Sequence, residues 1–266
     1  MSKPMTVADL RAARGKKQLS MLRVETIEEA AAAELAGIDL VSLPPSLVFD
    51  SKFRTVAPSL FACSGLDFGI YITEEECLRA AHKLIAAGAD MIYCPQRTQT
   101  IRRLSEEGIP VCGHTGLIPS KATWTGGFKA VGKTIESAQL VWQQVSALEE
   151  AGAVAAEIEV VPEEIATEIA ANTSLVLISM GAGSGCHAQY LFSEDVLGQT
   201  VGHIPRHAKT YEDFQTKLEK LQAARVKAYQ AFKSEVTSGA YPSAEHNVSV
   251  KASVLSEFQS WLKESQ

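Results

Sequence analysis

The sequence predicts an α/β fold, namely a (β/α)8 barrel of the TIM type with a reduced second βα unit and extra C-terminal helices. Short apolar segments alternate with helical patterns along the chain, an order typical of a parallel sheet that helices bury on both faces. A length of 266 residues, 46% of them hydrophobic, suits one such barrel with one large core. A doubly wound open sheet is the alternative, because periodicity alone does not count strands reliably.

The predicted strands are short apolar segments that end at turn residues. They cover residues 18–24, 40–43, 60–63, 91–94, 109–114, 154–161, 175–180 and 190–192. The link that follows Pro45 is short and contains no convincing helix, which is why the second unit is expected to be reduced. A Gly-rich loop over 113–132 follows the fifth strand.

The predicted helices begin at capping residues, and several end at a glycine. Thr6, Thr26 and Thr73 are the N-cap candidates, while Gly37 and Gly88 are stop signals. Helices are predicted over 6–15, 26–37, 73–88, 98–108, 134–152, 163–172, 211–238 and 248–265. We expect one domain over 1–266, of which 210–266 is a helical extension.

Charge and cysteine content argue against several classes of protein. The net charge of −6 argues against general nucleic-acid binding, which needs a basic face. No apolar stretch is long enough to span a bilayer, and the N-terminus has no signal-peptide pattern. Five scattered cysteines without a CxxC pair argue against a zinc ribbon and fit reduced thiols. The expected location is therefore the cytoplasm, away from membranes.

The C-terminal ends of the strands are where chemistry is expected, because (β/α) barrels build their active sites there. His114 ends the fifth predicted strand, and it either donates into the barrel mouth or caps backbone carbonyls. Glu157 and Glu159 are two residues apart in a strand and therefore point to the same side. A carboxylate in a dry interior needs a cation, a donor or a raised pKa, as a general base does. An ion pair without function is the alternative, and Glu159 is the favoured base because it is nearer the strand end.

Three further segments carry polar groups towards the same end. Gly181 and Gly183 belong to a loop that can present backbone N–H groups to an anion, although such turns are common. Asp67 follows the third strand and either ligates a metal or, more commonly, caps the next helix. A candidate cationic rim is formed by His203, His207 and Lys209.

Seven motifs, in order, resemble the ketopantoate hydroxymethyltransferase family. They begin with Gly-His-Thr-Gly-Leu-Ile-Pro at 113–119 and continue at 126–132, 147–152, 159–162, 181–183, 202–206 and 238–246. Any one motif is weak, whereas seven in the family order indicate common descent. The resemblance covers roughly residues 109–246.

This resemblance implies a (β/α)8 barrel of the phosphoenolpyruvate mutase-like superfamily. It implies an enzyme of pantothenate biosynthesis that adds a hydroxymethyl group, from 5,10-methylenetetrahydrofolate, to the small 2-oxo acid 3-methyl-2-oxobutanoate. In that family a Mg²⁺ ion binds the oxo acid and stabilises its enolate, and a carboxylate matching Glu159 takes part in proton transfer. The resemblance also implies a homo-oligomer.

The first half of the chain departs from the family pattern at the metal ligands. Pro45 occupies the place of one Asp ligand, while the neighbouring Ser46 remains. The second Asp falls at Gly65, or at Asp67 after a small shift, and the residues 93–95 replace a Lys-Ile-Glu segment. Because Mg²⁺ prefers hard oxygen ligands, the usual Mg²⁺ site is expected to be missing, with Asp67 left as a candidate ligand.

The sequence therefore predicts an enzyme that makes or breaks a C–C bond next to the carbonyl of a small 2-oxo acid through an enolate. Glu159 is the predicted base, and the other predicted site residues are His114, Ser46, Tyr93, Gly181 and Gly183. Hydroxymethyl transfer is the leading reaction, and a different lyase, aldolase or hydrolase on the same barrel is the close alternative. A non-catalytic metabolite-binding descendant is the second class. An enclosed polar pocket containing Glu159 favours catalysis over that class.

Overall fold

The computed structural model describes residues 4–66 and 69–265 and contains a closed barrel of eight parallel strands. The strands, β1 to β8, are Leu19–Arg23, Leu40–Leu43, Phe61–Gly65, Met91–Tyr93, Val111–Gly116, Ala155–Glu159, Val176–Met180 and Ala188–Phe192. Each strand pairs with the next, and β8 returns to β1, where Met21 lies opposite Tyr190. The barrel prediction is confirmed, and the open sheet is excluded.

The helices follow the strands in the order expected of a (β/α) barrel. The α-helices, α1 to α11, are Val7–Ala13, Ile27–Ala36, Pro45–Val48, Phe53–Val56, Glu74–Ala87, Thr98–Glu106, Ile135–Glu150, Glu163–Asn172, Ser193–Val196, Phe214–Ser238 and Ala252–Glu264. Two 3-10 helices span Pro119–Thr125 and Ala244–His246.

Local capping chemistry explains where several helices begin and end. The Thr73 hydroxyl accepts from the Glu76 N–H while the Glu76 carboxylate accepts from the Thr73 N–H, which is the predicted capping box. Thr6 caps α1 with a capping box formed with Asp9, whereas the Thr26 side chain only accepts from the Glu29 N–H at the start of α2. Gly88 ends α5 with φ at 114°, a backbone conformation that a residue with a Cβ rarely adopts.

The second βα unit is reduced, but the prediction that it contains no helix is wrong. It contains two single-turn helices, α3 and α4, and Pro45 occupies the first turn of α3, where a missing N–H is tolerated. Arg54 in α4 anchors this short link to the barrel. Its Nη1 donates to the Leu60 carbonyl at 2.8 Å and its Nη2 contacts the Asp90 carboxylate at 2.6 Å.

Two apolar clusters occupy the two sides of the barrel wall, because side chains alternate along each strand. On β2, for example, Leu40 belongs to one cluster and Val41 to the other. The cluster of Leu40 also contains Leu19, Met21 and Phe61, and we identify it as the barrel interior. These apolar residues fill the interior towards the start of the strands, which leaves the other end for polar side chains.

The chain divides into two compact units, the first ending at Glu212 and the second beginning at Asp213. The second unit contains α10 and α11, and neither helix buries a residue. That the units make one domain stays a prediction. Among the described residues, no helix is both long enough and apolar enough to cross a membrane.

Candidate functional site

The interior of the barrel becomes polar at the C-terminal ends of the strands. Tyr93 ends β4, His114 lies near the end of β5, and Glu157 and Glu159 lie on β6. Strand register brings the last three together, since His114 pairs with Glu157 and Gly116 pairs with Glu159. The two-residue spacing puts both glutamates on one face of β6. Pairing with β5 then places one imidazole between them.

The His114 ring is held at both of its nitrogen atoms. Its Nδ1 lies 2.8 Å from the Tyr93 hydroxyl and 3.4 Å from Glu157 Oε2. Its Nε2 lies 2.9 Å from the Leu117 carbonyl oxygen and 3.2 Å from Glu159 Oε2. Because the Leu117 carbonyl only accepts, Nε2 carries a hydrogen and donates it. His114 thus caps a backbone carbonyl, which is one of the two alternatives that the sequence left open, and it also contacts both carboxylates.

Burial and neighbouring charges shift the pKa values of both His114 and Glu157. Burial lowers the pKa of His114, but the hydrogen bond to Glu159 and the charge of Glu157 outweigh it, so this pKa is raised above its ordinary value. Burial raises the pKa of Glu157 to about 7, and the charge of Glu159 acts in the same direction. The cluster can therefore hold or release a proton near neutral pH.

Tyr93 is the predicted substrate-binding residue that the structure brings to this cluster. Burial, together with the charge of Glu157, raises the pKa of its hydroxyl well above the ordinary value. The hydroxyl therefore stays protonated and acts as a hydrogen-bonding group rather than as a base. Its edge-to-face packing on the imidazole, with centroids 6.0 Å apart, fixes the orientation of both rings.

Arg23, the last residue of β1, is a site residue that sequence reasoning missed. Alternation along β1 puts it on the interior side with Leu19 and Met21. Its Nη1 lies 3.3 Å from the Ser42 hydroxyl, and its Nε lies 2.5 Å from Glu25 Oε1. Its charge lowers the pKa of Glu157 against the effect of burial. An arginine at the end of a barrel strand was the available signal.

A cavity of about 730 Å³ opens beside Glu159 at the same end of the barrel. The Glu159 side chain is 12% exposed and lines this cavity, whereas Glu157 and His114 are more deeply buried at 7% and 3%. Met180 and Gly181, at the end of β7, form the adjacent wall. Glu159 is therefore the carboxylate of the cluster that a small molecule in the cavity can contact.

The two predicted loop glycines have different surroundings. Gly181 lines the cavity with φ at 69°, and a Cβ there would lie 2.6 Å from the His207 ring. Gly183 lies away from the cavity lining, where a Cβ would meet the side chain of Glu163. The N–H of Ser184 donates to Glu163, so this part of the loop binds the protein's own carboxylate.

The remaining predicted residues differ in whether they reach the cavity. Ser46 is exposed on α3, outside the cavity lining. Lys209 of the predicted rim lies over the Tyr211 ring, 4.8 Å from its centroid, while His203 and His207 do line the cavity. Asp67, the candidate metal ligand, lies outside the described residues. Within residues 4–66 and 69–265, no three His, Cys, Asp or Glu side chains are grouped to hold a metal ion.

Known proteins resemble this chain in sequence and in fold. The family model for ketopantoate hydroxymethyltransferase matches residues 52–244. A 3-methyl-2-oxobutanoate hydroxymethyltransferase from Shewanella sp. (strain MR-4) is 37% identical over 187 residues, covering 69% of this chain and 68% of that protein. Its counterpart from Thermotoga neapolitana is 31% identical over 265 residues, covering 91% and 96%. The crystal structure of 2,3-dimethylmalate lyase, a PEP mutase/isocitrate lyase superfamily member, shares the fold, with a TM-score of 0.56, 14% identity and coverage of 85% and 88%.

Proposed function

The chain belongs to the ketopantoate hydroxymethyltransferase family, a family of one-carbon transferases, and we propose that it adds a hydroxymethyl group to the carbon next to the carbonyl of a small 2-oxo acid. The observation that carries this proposal is the position of Glu159. It is the carboxylate that lines the mouth cavity while contacting a buried imidazole. The partner of Glu159 is His114, whose pKa rises in response to the negative charge of this largely buried carboxylate.

The proposed chemistry begins with proton removal by Glu159. The carboxylate takes a proton from the carbon next to the carbonyl, and the electron pair left behind forms an enolate. Water hydrolyses 5,10-methylenetetrahydrofolate, which breaks both C–N bonds to the methylene carbon and releases tetrahydrofolate and formaldehyde. The enolate carbon then attacks the formaldehyde carbon, which forms the new C–C bond, and the carbonyl electron pair becomes an alkoxide that takes the proton held by Glu159. General bases positioned in this way contribute roughly 10²–10⁴-fold to rate, so loss of this carboxylate should be readily measurable.

His114 and Tyr93 are the proposed source of stabilisation for the enolate. A raised pKa favours the imidazolium form of His114, whose charge offsets negative charge that develops nearby. The Tyr93 hydroxyl, 2.8 Å from Nδ1, fixes the ring in this position. Arg23 adds a second positive charge on the interior side of β1. Neither His114, Tyr93 nor Arg23 lines the cavity, so in this proposal they act on the enolate through their charges and dipoles rather than by direct contact.

The described residues do not fit the Mg²⁺ site that the family implies. Mg²⁺ takes near-octahedral oxygen ligands, usually including carboxylates. Pro45 and Gly65 have no such oxygen on their side chains, and the Glu157 and Glu159 carboxylates face the two nitrogens of His114. We therefore propose that enolate formation here relies on protein cations and donors, and no step is assigned to a metal.

The one-carbon donor implied by the family, 5,10-methylenetetrahydrofolate, enters this proposal as a second substrate. Drug-sized ligands occupy pockets of roughly 300–1,000 Å³, and the mouth cavity, at about 730 Å³, lies in this range. A small 2-oxo acid has fewer than ten heavy atoms and leaves much of that space free. The cavity therefore has room for two reactants beside Glu159.

Incubation with 3-methyl-2-oxobutanoate and 5,10-methylenetetrahydrofolate, or formaldehyde, tests the proposed reaction. We expect a hydroxymethylated product by mass spectrometry, with tetrahydrofolate released when the folate is the donor. A barrel that processes 2-oxo acids without accepting either donor would instead identify a lyase, aldolase or hydrolase. Lack of binding of any 2-oxo acid would favour the non-catalytic class, against which the open cavity at Glu159 argues.

Two further proposals concern the state of the protein in the cell. Self-association is proposed from the family resemblance, and light scattering that showed only a 28.6 kDa species would contradict it. A cytoplasmic location is proposed from the scattered buried cysteines, which fit a reducing compartment. Fractionation of cells expressing the chain checks that location.

A further inference from the structure

One wall of the mouth cavity carries three permanent cations and two imidazoles that the proposed proton transfer does not use. Two segments of chain, one before α7 and one after α9, supply them. They are Lys129, Lys133, His203, Arg206 and His207. Among the residues that the structure describes, none of the five has a carboxylate oxygen within 4.0 Å.

The two acidic residues that line the same cavity do not form ion pairs with the cations of this wall. Glu159 contacts His114 at 3.2 Å, and the buried carboxylate of Asp195 accepts a hydrogen bond from Thr200 at 2.5 Å. The chain as a whole has a net charge of −6, whereas this wall has a local excess of unpaired cations. A concave, low-dielectric wall focuses such charge and attracts anions.

Apolar side chains border the same wall and restrict what can bind there. The Phe128 and Phe192 side chains line the cavity, together with Met180, Pro119 and Pro205. This combination suits a molecule with an apolar or planar body and a strongly anionic end. Inorganic anions alone would leave the aromatic part of the wall unused.

We propose that Lys129, Lys133, Arg206 and the two histidines form a subsite for a multiply charged anionic group, carboxylate or phosphate, carried by one of the reactants. The assignment of this group to a reactant rests on the proposed function, whereas anion binding itself does not. Two sources are possible for the same chemistry. The group belongs either to the one-carbon donor or to the far end of the 2-oxo acid.

Calorimetric titration with tripolyphosphate and with citrate tests anion binding without any turnover. Lys133→Gln/Arg206→Gln should weaken binding of both probes at least tenfold, since two of the permanent cations are lost. The matched pair Lys121→Gln/Arg79→Gln removes the same charges from exposed residues that do not line the cavity, and it should change binding less than twofold. Failure of both probes to bind, or an equal loss in the matched pair, would overturn the subsite.

Steady-state kinetics then identifies the reactant. We compare methylenetetrahydrofolate carrying one or several glutamates, and 2-oxo acids with or without a second carboxylate. In Lys133→Gln/Arg206→Gln the KM of the more highly charged form of one reactant should rise at least tenfold while kcat is kept. An unchanged KM for every compound would overturn the assignment to a reactant. Absence of turnover in the unmodified protein, with probe binding intact, would count against the proposed function alone.

Discussion

Glu159 Oε2 lies 3.2 Å from Nε2 of His114, and this contact joins a cavity-lining carboxylate to a ring that is almost completely buried. The contact depends on strand register, because β5 and β6 pair Gly116 with Glu159 and His114 with Glu157. A shift of one residue between these strands would turn the carboxylates to the other face of the barrel wall. The proposed proton transfer is thus a consequence of how two adjacent strands align.

The titration of His114 is the first prediction. Burial alone would lower its pKa, but the hydrogen bond to Glu159 and the charge of Glu157 raise it above 6.5. Glu159→Gln should lower the pKa of His114, measured from imidazole resonances by NMR. His187 is an internal reference, since burial lowers its pKa to about 4 and it lies at the start of β8, at the opposite end of the barrel from Glu159. A His114 pKa below 6.5 in the unmodified protein would contradict the proposed cluster.

The pH dependence of stability is the second prediction. The pKa of Glu157 is raised from 4.5 to about 7, so its protonation stabilises the folded state below pH 4.5, and this contribution is lost as the pH rises through 7. One pKa unit corresponds to about 1.4 kcal/mol. Relative to the unmodified protein, Glu157→Gln should therefore gain up to about 3 kcal/mol in the free energy of unfolding between pH 4.5 and 8.

Urea denaturation at several pH values measures that difference. The comparison of the two proteins is needed because His187 also titrates. Its pKa is lowered, so its contribution to the free energy of unfolding decreases as the pH falls below 6.5, which is opposite to the effect of Glu157. His187 is present in both proteins, so its contribution cancels. A constant difference across the whole pH range would show that Glu157 is not the titrating group.

The third prediction concerns the close approach of His207 to Gly181. Gly181→Ala places a Cβ 2.6 Å from the imidazole in a backbone conformation with φ at 69°, so we expect a loss of about 2–4 kcal/mol in unfolding free energy. Gly37→Ala is the matched control, since its φ is 73° but its Cβ would enter open space. That variant should lose only the backbone cost of about 1–2 kcal/mol. Equal losses in the two variants, by urea denaturation, would refute the packing argument.

The fourth prediction is that enolate formation continues without a divalent cation. Protein cations replace the metal in the proposed mechanism, because the described residues offer no Mg²⁺ ligand set. The rates of exchange of the C3 hydrogen of 3-methyl-2-oxobutanoate in EDTA and in excess Mg²⁺ should differ by less than twofold. A tenfold or larger acceleration by Mg²⁺ would contradict the proposal that protein cations replace the metal.

Periodicity in the sequence predicted the elements of the barrel because strands and long helices repeat over several residues. The single-turn helices α3 and α4 were missed, since four residues are too few for a helical period to emerge. The 3-10 helix over Pro119–Thr125 was also missed, because it lies within the segment that its glycines marked as a loop. Capping residues such as Thr73 were correctly predicted because their signal is local.

The site was predictable only where the information is local to one strand. The spacing of Glu157 and Glu159 predicted that they share a face, and both contact His114. Their arrangement on opposite nitrogens depends on pairing between β5 and β6, which no single segment encodes. Arg23 was missed because a charged residue at a strand end is as often solvent-exposed as interior. The exposed position of Ser46 follows from α3, a helix that the sequence did not reveal.

Deuterium exchange at C3 of 3-methyl-2-oxobutanoate, followed by NMR with no one-carbon donor present, tests the role of Glu159 most directly. We predict catalysed exchange by the unmodified protein and a loss of roughly 10²–10⁴-fold in Glu159→Gln. Glu164→Gln, which neutralises an exposed carboxylate on α8, should exchange at the unmodified rate. Exchange by Glu159→Gln at the rate of Glu164→Gln would contradict the assignment of Glu159 as the base.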